Sequence, residues 1–170
     1  MRIGIFGGSF NPIHAGHVNL ALSAMKILKL DYVMMVIAYN NPYKPMYKKT
    51  VMERAIEIQK LVKHPKILIC VIKGELKYKF TYQTVQYLTS HLPQIEWFLL
   101  MGADNIKHFH KWEGNEFVTS KTKLAVFDRP IYTYQAIFSK TCCKIPGSIY
   151  RIKRSSLSST LIRNLNKEDK

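Results

Sequence analysis

Apolar residues along this chain fall into two rhythms. Arg2 to Phe6, Tyr32 to Ala38, Lys66 to Ile72, Ile95 to Met101 and Leu124 to Phe127 are short, nearly continuous apolar runs of strand length, the pattern of parallel strands covered on both faces. A helical rhythm separates them. Val18 to Leu30 repeats apolar residues through Val18, Leu20, Ala21, Leu22, Met25, Leu28 and Leu30. Thr50 caps a predicted helix running to about Val62 and closed by Pro65, and Thr81 to His91 reads as a helix with Val85 and Leu88 on its apolar side. Ile149 to Ile152 is a short sixth strand, and Ser159 caps a last helix carrying Leu161, Ile162 and Leu165 before the charged stretch Asn166 to Lys170. Strands alternating with helices predict an α/β fold, a three-layer α/β/α sandwich around a mainly parallel sheet with right-handed crossovers. The strand order does not follow from the pattern.

Length and composition narrow the class. A chain of 170 residues, without internal repeats or low-complexity linkers, is expected to form one domain over residues 1–170. No apolar run reaches the roughly 18 residues that span a bilayer, and the N-terminus enters strand and motif without a signal-peptide pattern. A cytoplasmic protein without a membrane partner is the expectation. Cys70, Cys142 and Cys143 lack zinc-ligand spacing, which suits a reducing compartment. With 26 Lys and Arg against 11 Asp and Glu, the net charge of +15 raises a basic RNA-binding module as a rival. Only Arg151 to Arg154 forms a dense basic spot, however, and no recognition motif accompanies it. A scattered positive field serves equally to draw in anionic nucleotides.

The chemistry concentrates in Gly7-Gly8-Ser9-Phe10-Asn11-Pro12-Ile13-His14-Ala15-Gly16-His17, directly after the first strand and before the first helix. At that junction of a Rossmann-like sheet, a helix start offers N–H groups and a positive dipole end to an anion. Gly16 lets a nucleotide approach the backbone, while Gly7, Gly8 and Ser9 supply a tight turn and donors. A second hydroxyl-bearing helix start, Ser158-Ser159-Thr160, carries Arg163 one turn on, a suitable fork for phosphate. Asp104 follows the fourth strand at the edge where a carboxylate can accept from ribose hydroxyls. His108 and His110 have no third ligand nearby in sequence, so no protein-held metal is expected.

His14-x-Gly16-His17 after the Gly-Gly-Ser-Phe turn resembles the HxGH signature of the nucleotidyltransferases. Met101-Gly102-Ala103-Asp104-Asn105 with His110-Lys111-Trp112, and Leu157 to Arg163, resemble bacterial nicotinate-nucleotide adenylyltransferases in the same order and at similar spacing. The resemblance spans nearly the whole chain. It implies the nucleotidyltransferase type of Rossmann-like fold. The implied reaction joins ATP to nicotinate mononucleotide in NAD biosynthesis, with Mg2+ carried mainly by ATP phosphates and water. His17, His14, Lys44 and Arg163 would be the catalytic group. Gly7, Gly8, Ser9, Phe10, His14, Gly16, His17, Gly102, Asp104, Ser159, Thr160 and Arg163 would hold ATP. Phe80, Thr81, Asp104 and Trp112 would hold the mononucleotide, with Trp112 stacked on the pyridine ring. This chain departs from the family at Asn11, where Asp is frequent, and in Lys79 to Val85, where Phe80 replaces Tyr and Gln83 replaces Asp.

Three alternatives accompany this reading. A sister enzyme could adenylylate nicotinamide mononucleotide or pantetheine phosphate. A class I tRNA-synthetase fragment shares the HxGH idea, but no KMSKS-like segment is present. The RNA-binding module is the remaining one, and neither it nor any other nucleic-acid partner is expected.

Overall fold

A computed structural model describes residues 1–40, 47–127 and 149–150. Their elements run β1 (Arg2–Gly8), α1 (Ala15–Leu28), β2 (Tyr32–Ile37), α2 (Val51–Leu61), β3 (Ile67–Cys70), α3 (Ile72–Glu75), α4 (Thr81–His91), β4 (Glu96–Gly102), α5 (Ala103–Phe109), α6 (Asn115–Lys121), β5 (Lys123–Phe127) and β6 (Ile149–Tyr150). The strands pair in parallel in the order β3-β2-β1-β4-β5-β6. This is the doubly wound order, whose direction reverses between β1 and β4.

Side-chain alternation along the strands divides the core in two. Phe6, Val33, Met35, Ile37, Phe98 and Leu100 face α1 and α2 through Leu20, Ala24, Leu28, Ala55 and Ile58. Ile3, Ile5, Val36, Trp97, Leu99 and Met101 face α4, α5 and α6 through Val85, Leu88, Ile106, Phe109 and Val118. Each face is covered, which explains the near-continuous apolar runs. At the amino edge, Glu96 pairs with Arg2 at 3.1 Å and Lys123 at 2.6 Å, while the Arg2 N–H donates to Asp31 at 2.7 Å.

Several boundaries differ from the sequence reading. β1 runs on through Gly7 and Gly8, so the turn begins at Ser9. α1 starts at Ala15 rather than Val18, because His14, not one of the usual capping side chains, takes the N-cap position. β3 ends at Cys70 and Ile72 opens a helical turn instead. α3, α5 and α6 are additions, each too short to establish an apolar period. His108 lies in α5 and His110 is its C-cap. Ile149–Tyr150 forms the sixth strand beside β5. The Ser159-capped helix, Cys142 and Cys143 lie outside the described residues.

Lys73 in α3 is buried, and loss of hydration pushes its ammonium down to about 8 from the ordinary 10.5. A lysine depressed in the fold destabilises it fully below pH 8, and the cost fades as pH rises toward 10.5. Lys73→Met is therefore expected to stabilise the protein at pH 7 by on the order of 3 kcal/mol. Its advantage over wild type should shrink by pH 10. Urea unfolding of both proteins at the two pH values checks this; an advantage independent of pH would rule out the charge as its cause.

Candidate active site

Strand register opens a crevice at the reversal point. β1 stays paired with β2 to its last residue, Gly8 against Ile37, but its pairing with β4 stops at Phe6 against Leu100. β4 continues alongside β5 to Gly102 against Phe127. The two central strands therefore part just where Gly7-Gly8 leaves one and Gly102-Ala103-Asp104 leaves the other. A parting of this kind at the carboxyl edge is where open α/β sheets bind ligands. A Cβ built on Gly7 meets nothing within 4 Å, so its exposed backbone borders open space. Gly8 has the opposite reason to be glycine: its Cβ would stand 2.7 Å from the Phe10 ring, which folds back over it.

Phe10 anchors the turn. It is 1% exposed, holds a φ of 46°, and packs edge-on against Phe6 at 5.4 Å and His17 at 5.1 Å. Its place is in the core, as a support beneath the imidazoles. His14 is buried at the N-cap of α1, where Nδ1 accepts from the Gly16 N–H at 3.1 Å. His17, half-buried in the first turn, accepts through Nδ1 from the His14 N–H at 3.4 Å. The two rings lie 3.8 Å apart. A neutral imidazole accepting on Nδ1 carries its proton on Nε2, so this reciprocal cap sets both tautomers. Helix capping thus uses Nδ1 of each ring and puts the N–H on Nε2.

A residue absent from the sequence reading locks this turn. Arg54 of α2 is 1% exposed; its Nη1 donates to Ser9 O at 2.7 Å, its Nη2 to Ala38 O at 2.8 Å and its Nε to Thr50 O at 3.2 Å. Its guanidinium lies 4.6 Å over the Tyr47 ring, and the Tyr47 hydroxyl bonds Ser9 Oγ at 2.6 Å. The available signal was an arginine beside Ala55 and four residues before Ile58, on the buried stripe of α2.

On the β4 side, Gly102 caps α5 and Asp104 sits half-buried in its first turn, a favourable place for a carboxylate. Trp112 follows α5, half-buried, its ring 5.3 Å from that of Phe109. Gly114, at φ +66°, lies so close to Tyr82 that a Cβ would meet its ring at 2.6 Å. That contact seats the Trp112 loop on the first turn of α4, which carries Phe80 and Thr81. Phe80 stacks on Tyr82 at 6.1 Å, and Gln83 Oε1 accepts from the Lys79 and Phe80 N–H groups at 3.1 and 3.0 Å. An amide oxygen thus suffices to tie down the head of α4 where the family has a carboxylate.

The structure therefore gathers Gly7, Gly8, Ser9, His14, Gly16 and His17 on one lip of the crevice, with Phe10 buried beneath them instead of facing a ligand, and Gly102 and Asp104 on the other. Phe80, Thr81 and Trp112 form a neighbouring group. Lys44, Ser159, Thr160 and Arg163 lie outside the described residues. Among the described residues no three His, Cys, Asp or Glu side chains converge as metal ligands, and no helix is long and apolar enough to cross a membrane.

A cytidylyltransferase-like family model matches residues 5–165. A Cereibacter sphaeroides (strain ATCC 17025) protein named probable nicotinate-nucleotide adenylyltransferase is 35% identical over 130 residues, 76% of this chain and 70% of its own length. A protein of the same name from Methylorubrum extorquens (strain PA1) is 35% identical over 137 residues, covering 80% and 74%. Among solved structures, Plasmodium falciparum nicotinic acid mononucleotide adenylyltransferase complexed with NaAD shares the fold at a TM-score of 0.78 and 18% identity, covering 96% of this chain and 82% of that one.

Proposed function

Because the chain belongs to the nicotinate-nucleotide adenylyltransferases, within the cytidylyltransferase-like family, we propose that its parted sheet edge brings together ATP and nicotinate mononucleotide and releases deamido-NAD and pyrophosphate. The chain is a nucleotidyltransferase, and its reaction is adenylyl transfer in NAD biosynthesis. The observation that carries the site assignment is the separation of β1 from β4 beyond Phe6 and Leu100, with a motif on each lip. A cytoplasmic setting and small nucleotide substrates, with no nucleic acid, complete the reading.

In the reaction, an oxygen of the mononucleotide 5′-phosphate attacks the α-phosphorus of ATP. The bond from that phosphorus to the β-phosphate bridge breaks, and pyrophosphate leaves. The attacking oxygen is already anionic, so the chain needs no strong base. Its work is to align two polyanions and to neutralise charge at the crowded phosphorus. The Nε2–H groups of His17 and His14, with the N–H groups heading α1, are the proposed donors to phosphate oxygens. Gly7 and Gly8 admit the nucleotide against backbone, with Gly102 opposite. Asp104 accepts from ribose hydroxyls. Lys44, Ser159, Thr160 and Arg163 are assigned to the polyphosphate on their sequence motifs. Magnesium carried by the ATP phosphates and water would offset part of the polyphosphate charge; a site with Asp104 as its sole named carboxylate fits such an ion better than a caged one.

The acceptor side favours an acid. The first turn of α4 presents backbone N–H groups and a positive dipole end beside Thr81. A carboxylate satisfies those donors, whereas an amide NH2 turned toward them leaves them unpaired. Each mismatch costs on the order of 1–3 kcal/mol, so kcat/KM for nicotinate mononucleotide should exceed that for the amide by at least about tenfold. Pyrophosphate release from Mg-ATP, measured with nicotinate mononucleotide, nicotinamide mononucleotide and pantetheine phosphate, tests both levels. An equal or amide-favouring ratio would refute acid preference alone. Pantetheine phosphate as the best acceptor would refute the pyridine assignment.

A further inference from the structure

We propose that Arg54 is a positioning residue for the polyphosphate of ATP: a buried cation that fixes the Ser9 turn from behind and keeps its positive charge unneutralised beneath the phosphate-binding loop. Its three hydrogen-bonded partners are all backbone carbonyls, drawn from the turn after β1 (Ser9), the exit of β2 (Ala38) and the cap of α2 (Thr50). Among the described residues no carboxylate pairs with Arg54. Carbonyl partners satisfy the N–H directions of the guanidinium but cancel none of its net charge. A purely mechanical strut does not require this, since well-packed apolar residues of similar volume often fill such positions at equal or lower cost. A retained charge in a low-dielectric setting does have an effect on a polyanion nearby, where it is screened little.

The fork also explains why Ser9 is held twice. Arg54 takes its carbonyl while the Tyr47 hydroxyl takes its Oγ. Tyr47 in turn covers the guanidinium face. Arg54 and Tyr47 thereby set the backbone direction of the turn that leads from Gly8 into the His14 and His17 cap, Arg54 doing so from a fully buried position. That a polyphosphate lies at this loop rests on the adenylyl-transfer reading.

Calorimetric binding of inorganic tripolyphosphate, together with steady-state kinetics, tests the proposal on Arg54→Met, Arg54→Lys and Tyr47→Phe, each checked for folding by thermal denaturation. Arg54→Met should raise the tripolyphosphate Kd and the KM for ATP by about tenfold or more, the size of losing one unit charge roughly 10 Å from a phosphate at an effective dielectric of about 20. KM for the mononucleotide should stay within about twofold, because that pocket lies on the α4 side. Arg54→Lys, which keeps the charge but not the fork, should fall between wild type and Arg54→Met. Tyr47→Phe should shift the same two quantities in the same direction by about threefold at most, because it loosens the Ser9 hydroxyl and leaves the buried charge in place. A folded Arg54→Met that binds tripolyphosphate as wild type does, or a lysine variant no better than the methionine one, overturns the proposal. If Arg54→Met does not fold, the other two variants decide in the same way. Wild-type protein that shows Arg54-dependent tripolyphosphate binding but transfers no adenylyl group would overturn the functional reading and leave the role of Arg54 standing.

Discussion

His17→Ala is expected to lower kcat by about 10²-fold or more while leaving ATP affinity within a few-fold of wild type. The asymmetry follows from where charge develops. In the proposed site the ground-state triphosphate would be held by many donors along the loop and the head of α1, so one fewer should matter little. As the α-phosphorus becomes five-coordinate, its equatorial oxygens gain charge beside a donor whose direction is already set. The cap sets it: Nδ1 of His17 faces the His14 N–H at 3.4 Å, and the ring rests edge-on against Phe10 at 5.1 Å. The same contacts make His17 a structural participant, so a second variant separates the roles. His17→Asn keeps a compact polar side chain in the first turn of α1; it should fold like wild type yet remain strongly impaired in kcat. Stopped-flow or steady-state turnover, with ATP binding measured separately, reads the split. A folded alanine variant with near wild-type turnover would remove His17 from the catalytic group.

Much of this site was legible because its chemistry is local. Gly7 through His17 is one continuous stretch, and the pattern on either side, an apolar run then a helical period, places it on a strand-to-helix junction without any knowledge of contacts. The errors there are small and have physical causes. Glycines read as a turn, yet Gly7 and Gly8 continue β1 because β2 pairs with them. The cap of α1 is an imidazole rather than a hydroxyl or carboxylate, so the helix start was read three residues late. What was not legible is long-range. Arg54 finds Ser9 and Ala38 from 45 and 16 residues away, and neither carbonyl leaves a mark in side-chain patterning. The parting of β1 from β4 depends on the strand order, which periodicity does not encode. The resemblance grouped the α4 head with Trp112, but the contact of Gly114 with Tyr82 that seats one on the other leaves no mark in the pattern.

That junction makes the second large effect specific to one substrate. Trp112→Ala should weaken nicotinate mononucleotide binding by about 1–3 kcal/mol, the cost of losing an aromatic platform under a base, and so raise its Kd by roughly 5- to 150-fold. ATP should bind within about twofold of wild type, because its assigned partners on α1 and at the carboxyl end of β1 share no described contact with Trp112. Part of the indole is already committed to the Phe109 ring at 5.3 Å, so truncation also disturbs the end of α5. Trp112→Phe retains an aromatic face at that position and should recover most of the lost acceptor affinity if stacking is the working interaction. Were Trp112 merely a packing residue, both variants would lose thermal stability while the ratio of the two substrate affinities stayed at its wild-type value. Titration of each substrate separately, in the presence of magnesium and at one salt concentration, distinguishes the two outcomes. A parallel loss of ATP and mononucleotide binding would move the acceptor pocket away from the α4 head altogether.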